Sequence, residues 1–174
     1  MRHTTAAIML VLFIPAAAFA QTAAPPPPAV QFDQVLSANP LGVVIKWFNV
    51  EYERKLGTAT TLGASASHLG ELDLSNAAVL LRWYPQQTPL EGFYLGARAG
   101  AFGFKTLTYE FRSYREQNRV VPGAGVELGY NWLLGPKRNV SVGTGFGLTR
   151  IAAGDSYSLP SVLPGFRLNV GIAF

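Results

Sequence analysis

The chain has 174 residues, no cysteine, and 14 Lys and Arg against 10 Asp and Glu, for a formal charge of +4. The absence of thiols excludes disulfides and a lipoprotein attachment site. So mild a basic excess excludes a nucleic-acid footprint.

Met1-Arg2-His3 is a short basic start, and Ala6 to Ile14 is an apolar run that Pro15 breaks. The run is too short to span a bilayer, which takes about 20 apolar residues. Ala18-Phe19-Ala20 gives the small-x-small pattern before Gln21. These features predict a secretory signal peptide over 1–20, cleaved after Ala20 and excluded from the fold. Residues 21–29 contain Pro25 to Pro28 in a row. Consecutive prolines favour an extended stretch without ladder donors, here a spacer.

Residues 30–174 form the one folded domain, and nothing in it is apolar for long enough to be a transmembrane helix. What recurs is period-two alternation, the mark of strands with one apolar face. Phe48, Val50 and Tyr52 alternate with Asn49, Glu51 and Glu53; Leu62, Ala64 and Ala66 with Gly63, Ser65 and Ser67. Val79, Leu81 and Trp83 alternate less cleanly with Ala78, Leu80, Arg82 and Tyr84. Leu95 to Ala101, Val126 to Trp132 and Val140 to Leu148 set apolar positions against faces rich in glycine. The last strand is the clearest, with Phe166, Leu168, Val170, Ile172 and Phe174 on one face and Arg167, Asn169 and Gly171 on the other. In a secreted chain, such a strand ending on an aromatic resembles the closing strand of an outer-membrane β-barrel. Strands are therefore expected near 48–56, 60–69, 76–84, 93–104, 121–134, 139–150 and 163–174.

Seven strands cannot close a single-chain bacterial barrel, which has an even count. The eighth is sought in Val30 to Val43, where Pro40 is tolerated only at a strand end or bulge. Connections at Gly57-Thr58, Pro85 to Gly92 and Gly135 to Arg138 read as short, and those at Gly70 to Ser75, Lys105 to Val120 and Ile151 to Val162 as longer. That alternation matches periplasmic turns and extracellular loops, with a tight first outer turn at Ile45 to Trp47. The last strand runs inward to the periplasm, and counting back gives eight again. Aromatic girdles are expected from Trp83, Tyr84, Phe93, Tyr130, Trp132, Tyr52 and Phe174 at one rim. Trp47, Phe48, Phe102, Phe104 and Phe146 are expected at the other. The expected fold is all-β, an eight-stranded antiparallel up-and-down transmembrane β-barrel in the outer membrane of a Gram-negative bacterium. The alternative is a soluble lipocalin-like barrel, with apolar faces inside.

Asn39-Pro40-Leu41-Gly42, Phe48-Asn49-Val50-Glu51-Tyr52-Glu53-Arg54, Leu81-Arg82-Trp83-Tyr84 and Phe93-Tyr94 resemble motifs of a family of small outer-membrane β-barrel proteins of unknown function. The resemblance covers Asn39 to Phe174. It implies the fold and the location, and no activity.

Alternation points Glu51, Glu53 and Glu127 into the lumen together with Arg82, Arg98 and Arg167. An eight-stranded barrel is just wide enough for side chains to fill. Charges held there must pair, and Arg suits bidentate contacts to carboxylates. The set reads as a structural plug; the functional alternative is a gated ion or proton path, or paired carboxylates in acid/base work.

Outside the signal peptide the chain has one histidine, His68. Outer-membrane lipid A deacylases set a His and a Ser two residues apart on one face, whereas position 66 here is Ala66 and Ser67 faces the other way. With no metal cluster, nucleotide loop or nucleophile elbow, no cofactor or catalytic residue is expected. The segment Lys105 to Val120 is the candidate working surface. It carries Lys105, Arg112, Arg115 and Arg119 beside Tyr109, Phe111 and Tyr114, a composition suited to lipopolysaccharide phosphates or a protein partner. The expectation is a monomeric, non-enzymatic barrel with a structural or surface-interaction role. It would contact outer-membrane lipids, lipopolysaccharide and, through Phe174, the insertion machinery. A lipid A-modifying enzyme or a narrow pore is the alternative.

Overall fold

The computed structural model describes residues 32–110, 113–152 and 161–174, the side chains of 43, 45, 72 and 106–117 excepted. The expected signal peptide and spacer lie outside the described residues.

Eight strands follow in order: β1 (Gln34–Ala38), β2 (Trp47–Lys55), β3 (Thr60–Leu69), β4 (Leu74–Trp83), β5 (Gly92–Glu110), β6 (Ser113–Leu134), β7 (Val140–Ile151) and β8 (Val162–Ala173). Each pairs with the next, and β8 pairs with β1 to close the barrel. All these pairings are antiparallel. At the seam Leu36 faces Ile172 and Ala38 faces Val170. Phe174 extends the seam: its N–H donates to the Gln34 carbonyl at 2.9 Å, and its own carbonyl accepts from the Gln34 N–H at 3.0 Å.

The first strand is shorter than the segment in which it was sought. Proline has no ladder donor, and β1 stops before Pro40. The chain then turns on Asn39, whose side-chain Oδ1 accepts from the Leu41 N–H at 2.8 Å. A single helical turn, α1 (Gly42–Ile45), leads into β2. The first far-end connection is thus residues 39–46, and not a tight turn at Ile45 to Trp47. Loop lengths also differ from the expected alternation. The connection between β3 and β4 is the short 70–73 turn, while 84–91 at the opposite end is longer. Of the segment Lys105 to Val120, residues 105–110 and 113–120 are strand and not loop. β5 and β6 stay in register through Lys105↔Asn118 to Glu110↔Ser113. The ladder of β4 stops at Gly103 and that of β7 at Gly123. Past those points the two strands run on as a ribbon.

The two faces are sorted as the alternation predicts. Val79, Leu81, Val126, Phe166 and Ile172 are half exposed or more on the outside. Glu51, Glu53, Thr61, Arg82, Asn131 and Asn169 are buried inside. This is the inverse of a soluble barrel and the pattern of a transmembrane one. Four aromatics leave the expected girdles. Tyr84, Phe102 and Phe104 are buried, the last two with Val121 and Ile151 in an apolar cluster within the barrel. Trp47 donates its indole N–H to the inward hydroxyl of Ser67 at 3.2 Å. At the end carrying Gln34 and Phe174, Leu90 is buried against Val35 and Ala173. It sits at a φ of 75° that a leucine rarely adopts, so packing of the mouth outweighs local strain.

Candidate functional site

The lumen nearest the end carrying Gln34 and Phe174 is organised around Arg82. The alternation of β4 aims it inward, and it is 1% exposed. Its Nη1 lies 2.7 Å from Glu51 Oε1 and 2.5 Å from Glu53 Oε2, and its Nε lies 2.6 Å from Glu127 Oε1. Nη2 donates to Glu51 Oε2 at 3.1 Å. One guanidinium therefore holds carboxylates from β2 and β6, on opposite sides of its own strand. Arg167, from β8, donates to Glu51 through Nη2 at 2.7 Å and to Asn131 Oδ1 through Nη1 at 2.7 Å. Three carboxylates against two guanidinium groups leave one negative charge in excess.

A neutral layer satisfies the second oxygen of Glu53. Glu53 Oε1 accepts from Thr61 Oγ1 at 2.5 Å and from the Tyr84 hydroxyl at 2.7 Å. Asn131 Nδ2 donates to the Tyr84 oxygen at 2.9 Å. The Tyr94 ring lies under both cations, 4.6 Å from the Arg82 carbon Cζ and 5.8 Å from that of Arg167. Cations over an aromatic face are attracted by its quadrupole. The ring fits because glycine faces it: a Cβ at Gly129 or Gly145 would stand 2.5 or 2.6 Å from the Tyr94 hydroxyl. A Cβ at Gly143 would strike Arg167. Glycine on the inner faces of β6 and β7 thus makes room for the plug.

Five of the six inward charges come together, and Arg98 does not. It faces inward from β5, yet among the described residues no carboxylate reaches it within ion-pair distance. Its Nη2 lies 3.4 Å from Asn76 Oδ1, and its Nε is buried without a partner. Arg98 instead borders a cavity of about 240 Å³ in the far half of the lumen. Tyr84, Tyr94 and Asn131 are plug members that charge-based reading missed. Tyr94 and Asn131 sit on the same faces as Arg98 and Glu127, so strand alternation alone places them inside.

At the far rim, Lys105 pairs with Asp73 at 3.0 Å. Arg119 is engaged as well. Arg112 lies outside the described residues, as does the side chain of Arg115. Local spacing gives His68 no serine two residues away on its own face, and leaves Ser75 or Ser113 as partners only by coincidence. The 70–73 turn nevertheless sets His68 opposite Ser75 in the β3–β4 ladder. Both are exposed, with His68 Nδ1 and Ser75 Oγ 2.9 Å apart. Hairpin register was the signal that would have found the pair: Leu69 faces Leu74, so 68 must face 75.

The sequence matches the family described as "Protein of unknown function (DUF3575)" over residues 7–163. No curated protein matches it. Among solved structures, it is similar to the N-terminal β-barrel domain of Pseudomonas aeruginosa OprF, at 14% identity and a TM-score of 0.45 over 81% of this chain and 94% of that one. It is also similar to the Yersinia pestis outer membrane protein Ail, whose backbone structure is of the protein in a phospholipid bilayer nanodisc. There the identity is 12% and the TM-score 0.44, over 83% of this chain and 100% of that one.

Proposed function

We propose a non-enzymatic, structural or surface-interaction role in the Gram-negative outer membrane for this chain, which belongs to the DUF3575 family of proteins of unknown function. One observation carries the reading: an apolar exterior surrounds a lumen closed by the Arg82 network. In water such an exterior is an aggregation surface. In a bilayer it is what lipid requires. The network and the two tyrosines occupy the cross-section, which supports a barrel that conducts nothing. On this reading the termini lie in the periplasm, the signal peptide is cleaved after Ala20, and the barrel is a monomer in contact with lipid and lipopolysaccharide.

The β5–β6 ribbon is the recognition surface in this proposal, because it alone runs on past its neighbours' ladders among the described strands. Arg112, Arg115 and Arg119 would meet lipopolysaccharide phosphates or an acidic partner. Lys105 is occupied by Asp73 and contributes less. Phe174 is proposed as the signal read by the insertion machinery, since its backbone also completes the closing seam.

Membrane fractionation of parent and Phe174-deleted protein tests the location and the signal. The parent should sediment with the outer membrane, and the deletion should be degraded or held in the periplasm. A parent found in the soluble fraction would overturn the location. Normal outer-membrane levels of the deletion would overturn the role of Phe174. Measurable single-channel conductance would overturn the closed lumen.

The His68–Ser75 pair supports a second reading, hydrolysis of a lipid ester at the outer rim. A histidine within hydrogen-bond reach of a serine hydroxyl is the first requirement of such chemistry. Lipid A profiles by mass spectrometry decide it. A change that requires both His68 and Ser75 would establish the enzyme, and identical profiles with His68→Ala and parent would discard it.

A further inference from the structure

We propose that the far half of the lumen is a binding site for a small organic carboxylate, with Arg98 as its anion receptor. The cavity there, about 240 Å³, has room for several waters or one small organic molecule. Arg98 opens onto it with donors to spare. Its hydrogen bond to Asn76, at 3.4 Å, is long for a guanidinium donor. Its Nε is buried without a partner. The other two inward arginines share three carboxylates between them. Asn49 also lines the cavity, and its Oδ1 is likewise buried and unpartnered. Buried polar groups left unpaired are costly, and a carboxylate that draws the guanidinium into the cavity recovers that cost at Arg98.

The chemistry of the walls defines the ligand. A single guanidinium fork matches one planar carboxylate. The floor argues for a monoanion. A separate void of only about 20 Å³ lies between Arg98 and the Glu127 and Arg167 side chains. The plug beyond it carries one negative charge in excess, so a dianionic phosphate would leave charge unpaired in a poorly solvated site. Leu74, Phe102 and Leu163 make part of the wall apolar, which suits a ligand with an apolar body.

The test uses purified full-length mature barrel in a nonionic detergent, with phenylacetate as probe. 2-Phenylethanol is the charge-free match in size, and inorganic phosphate is the dianion. The readout is the ¹⁵N–¹H resonance of the Arg98 Nε–H. Phenylacetate should shift it saturably, with half-saturation on the order of 1 mM for so small a ligand. R98Q should weaken phenylacetate binding roughly tenfold or more, followed by intrinsic fluorescence, given the strength of a charge-assisted hydrogen bond. Equal shifts with 2-phenylethanol would mean apolar partition only and would overturn the proposal. So would phosphate binding as tightly as phenylacetate, or no saturable shift at all. The alcohol and phosphate comparisons use the parent protein, so they stand even where R98Q fails to fold.

Discussion

Toward the end carrying Gln34 and Phe174 the lumen holds five charges locked to one another, and toward the far mouth it holds one guanidinium beside a cavity. Both halves are built from the same alternating strands. They differ in what glycine allows. On β5 to β7, Gly96, Gly129, Gly143 and Gly145 let Tyr94, Glu127 and Arg167 approach closely. On the far side Phe102, Phe104, Val121 and Ile151 fill space with apolar bulk instead. Stability is therefore expected to reside in the first half and adaptability in the second.

The largest test of that division is Arg82→Ala. It strands three carboxylates around one another and leaves only Arg167 nearby. Removing one partner from a buried pair costs about 3–5 kcal/mol, and Arg82 has three partners. The barrel should fail to refold in detergent or unfold at a much lower urea concentration. A midpoint within experimental scatter of the parent would mean that the network does not hold the barrel together.

A second test sharpens the division within the plug. Glu51 holds both Arg82 and Arg167, whereas Glu127 holds Arg82 through one contact. Glu51→Gln should cost about 3 kcal/mol, the lower end for a broken buried pair. Glu127→Ala should cost about 1–3 kcal/mol, the range for a lost buried hydrogen bond. Removing Glu127 also relieves the excess negative charge, which pushes it to the lower part of that range. Urea midpoints of the two variants in the reverse order would break the assignment of Glu51 as the shared partner.

Much of this was legible in the chain. Alternation located the strands from Phe48 onward, and parity required an eighth. It also set all six charges on their inner faces, because side-chain direction in a strand depends only on position. It did not show which charges would meet. Partners across a lumen are set by the stagger of closed strands, and stagger lies in pairings such as Arg82↔Gly96 and Gly96↔Glu127. Arg98 lies two residues further along β5 than Gly96, toward the far mouth, and so misses the carboxylates. Aromatic type points Phe102 and Phe104 to a girdle, whereas their even-numbered positions on β5 turn them inward with Tyr94 and Arg98. Ser75 counts only as a coincidental partner on local spacing, because it approaches His68 through a turn.

Arg98→Gln provides the complementary test in the far half. Arg98 makes one long hydrogen bond and no ion pair among the described residues. Its remaining interaction is distant attraction to the excess charge of the plug. The expected change in unfolding free energy is below about 1 kcal/mol, the worth of a single ordinary hydrogen bond. A loss comparable to that of Arg82→Ala would erase the distinction between the two halves.

The smallest expected effect on stability lies beyond the mouth, in the ribbon. Residues 104–110 and 113–119 pair with each other past the end of the neighbouring ladders. They add little to the closure of the barrel. Replacing Arg112, Arg115 and Arg119 with Ser should leave the urea midpoint where it is, within about 0.5 kcal/mol, as for most surface substitutions. Function should respond where stability does not. Binding to lipopolysaccharide micelles should weaken at low salt, and the difference from the parent should shrink as salt rises, because exposed charges are screened beyond about 8 Å at physiological ionic strength. Asp73 bears on the size of this effect. It already neutralises Lys105 at the base of the ribbon, so adding Lys105→Ser to the triple variant should change binding little further. A triple variant that binds like the parent at every salt concentration would remove recognition from the ribbon. The cavity at Arg98, which does not depend on the ribbon, would still stand as a place where the far half of the molecule engages a ligand.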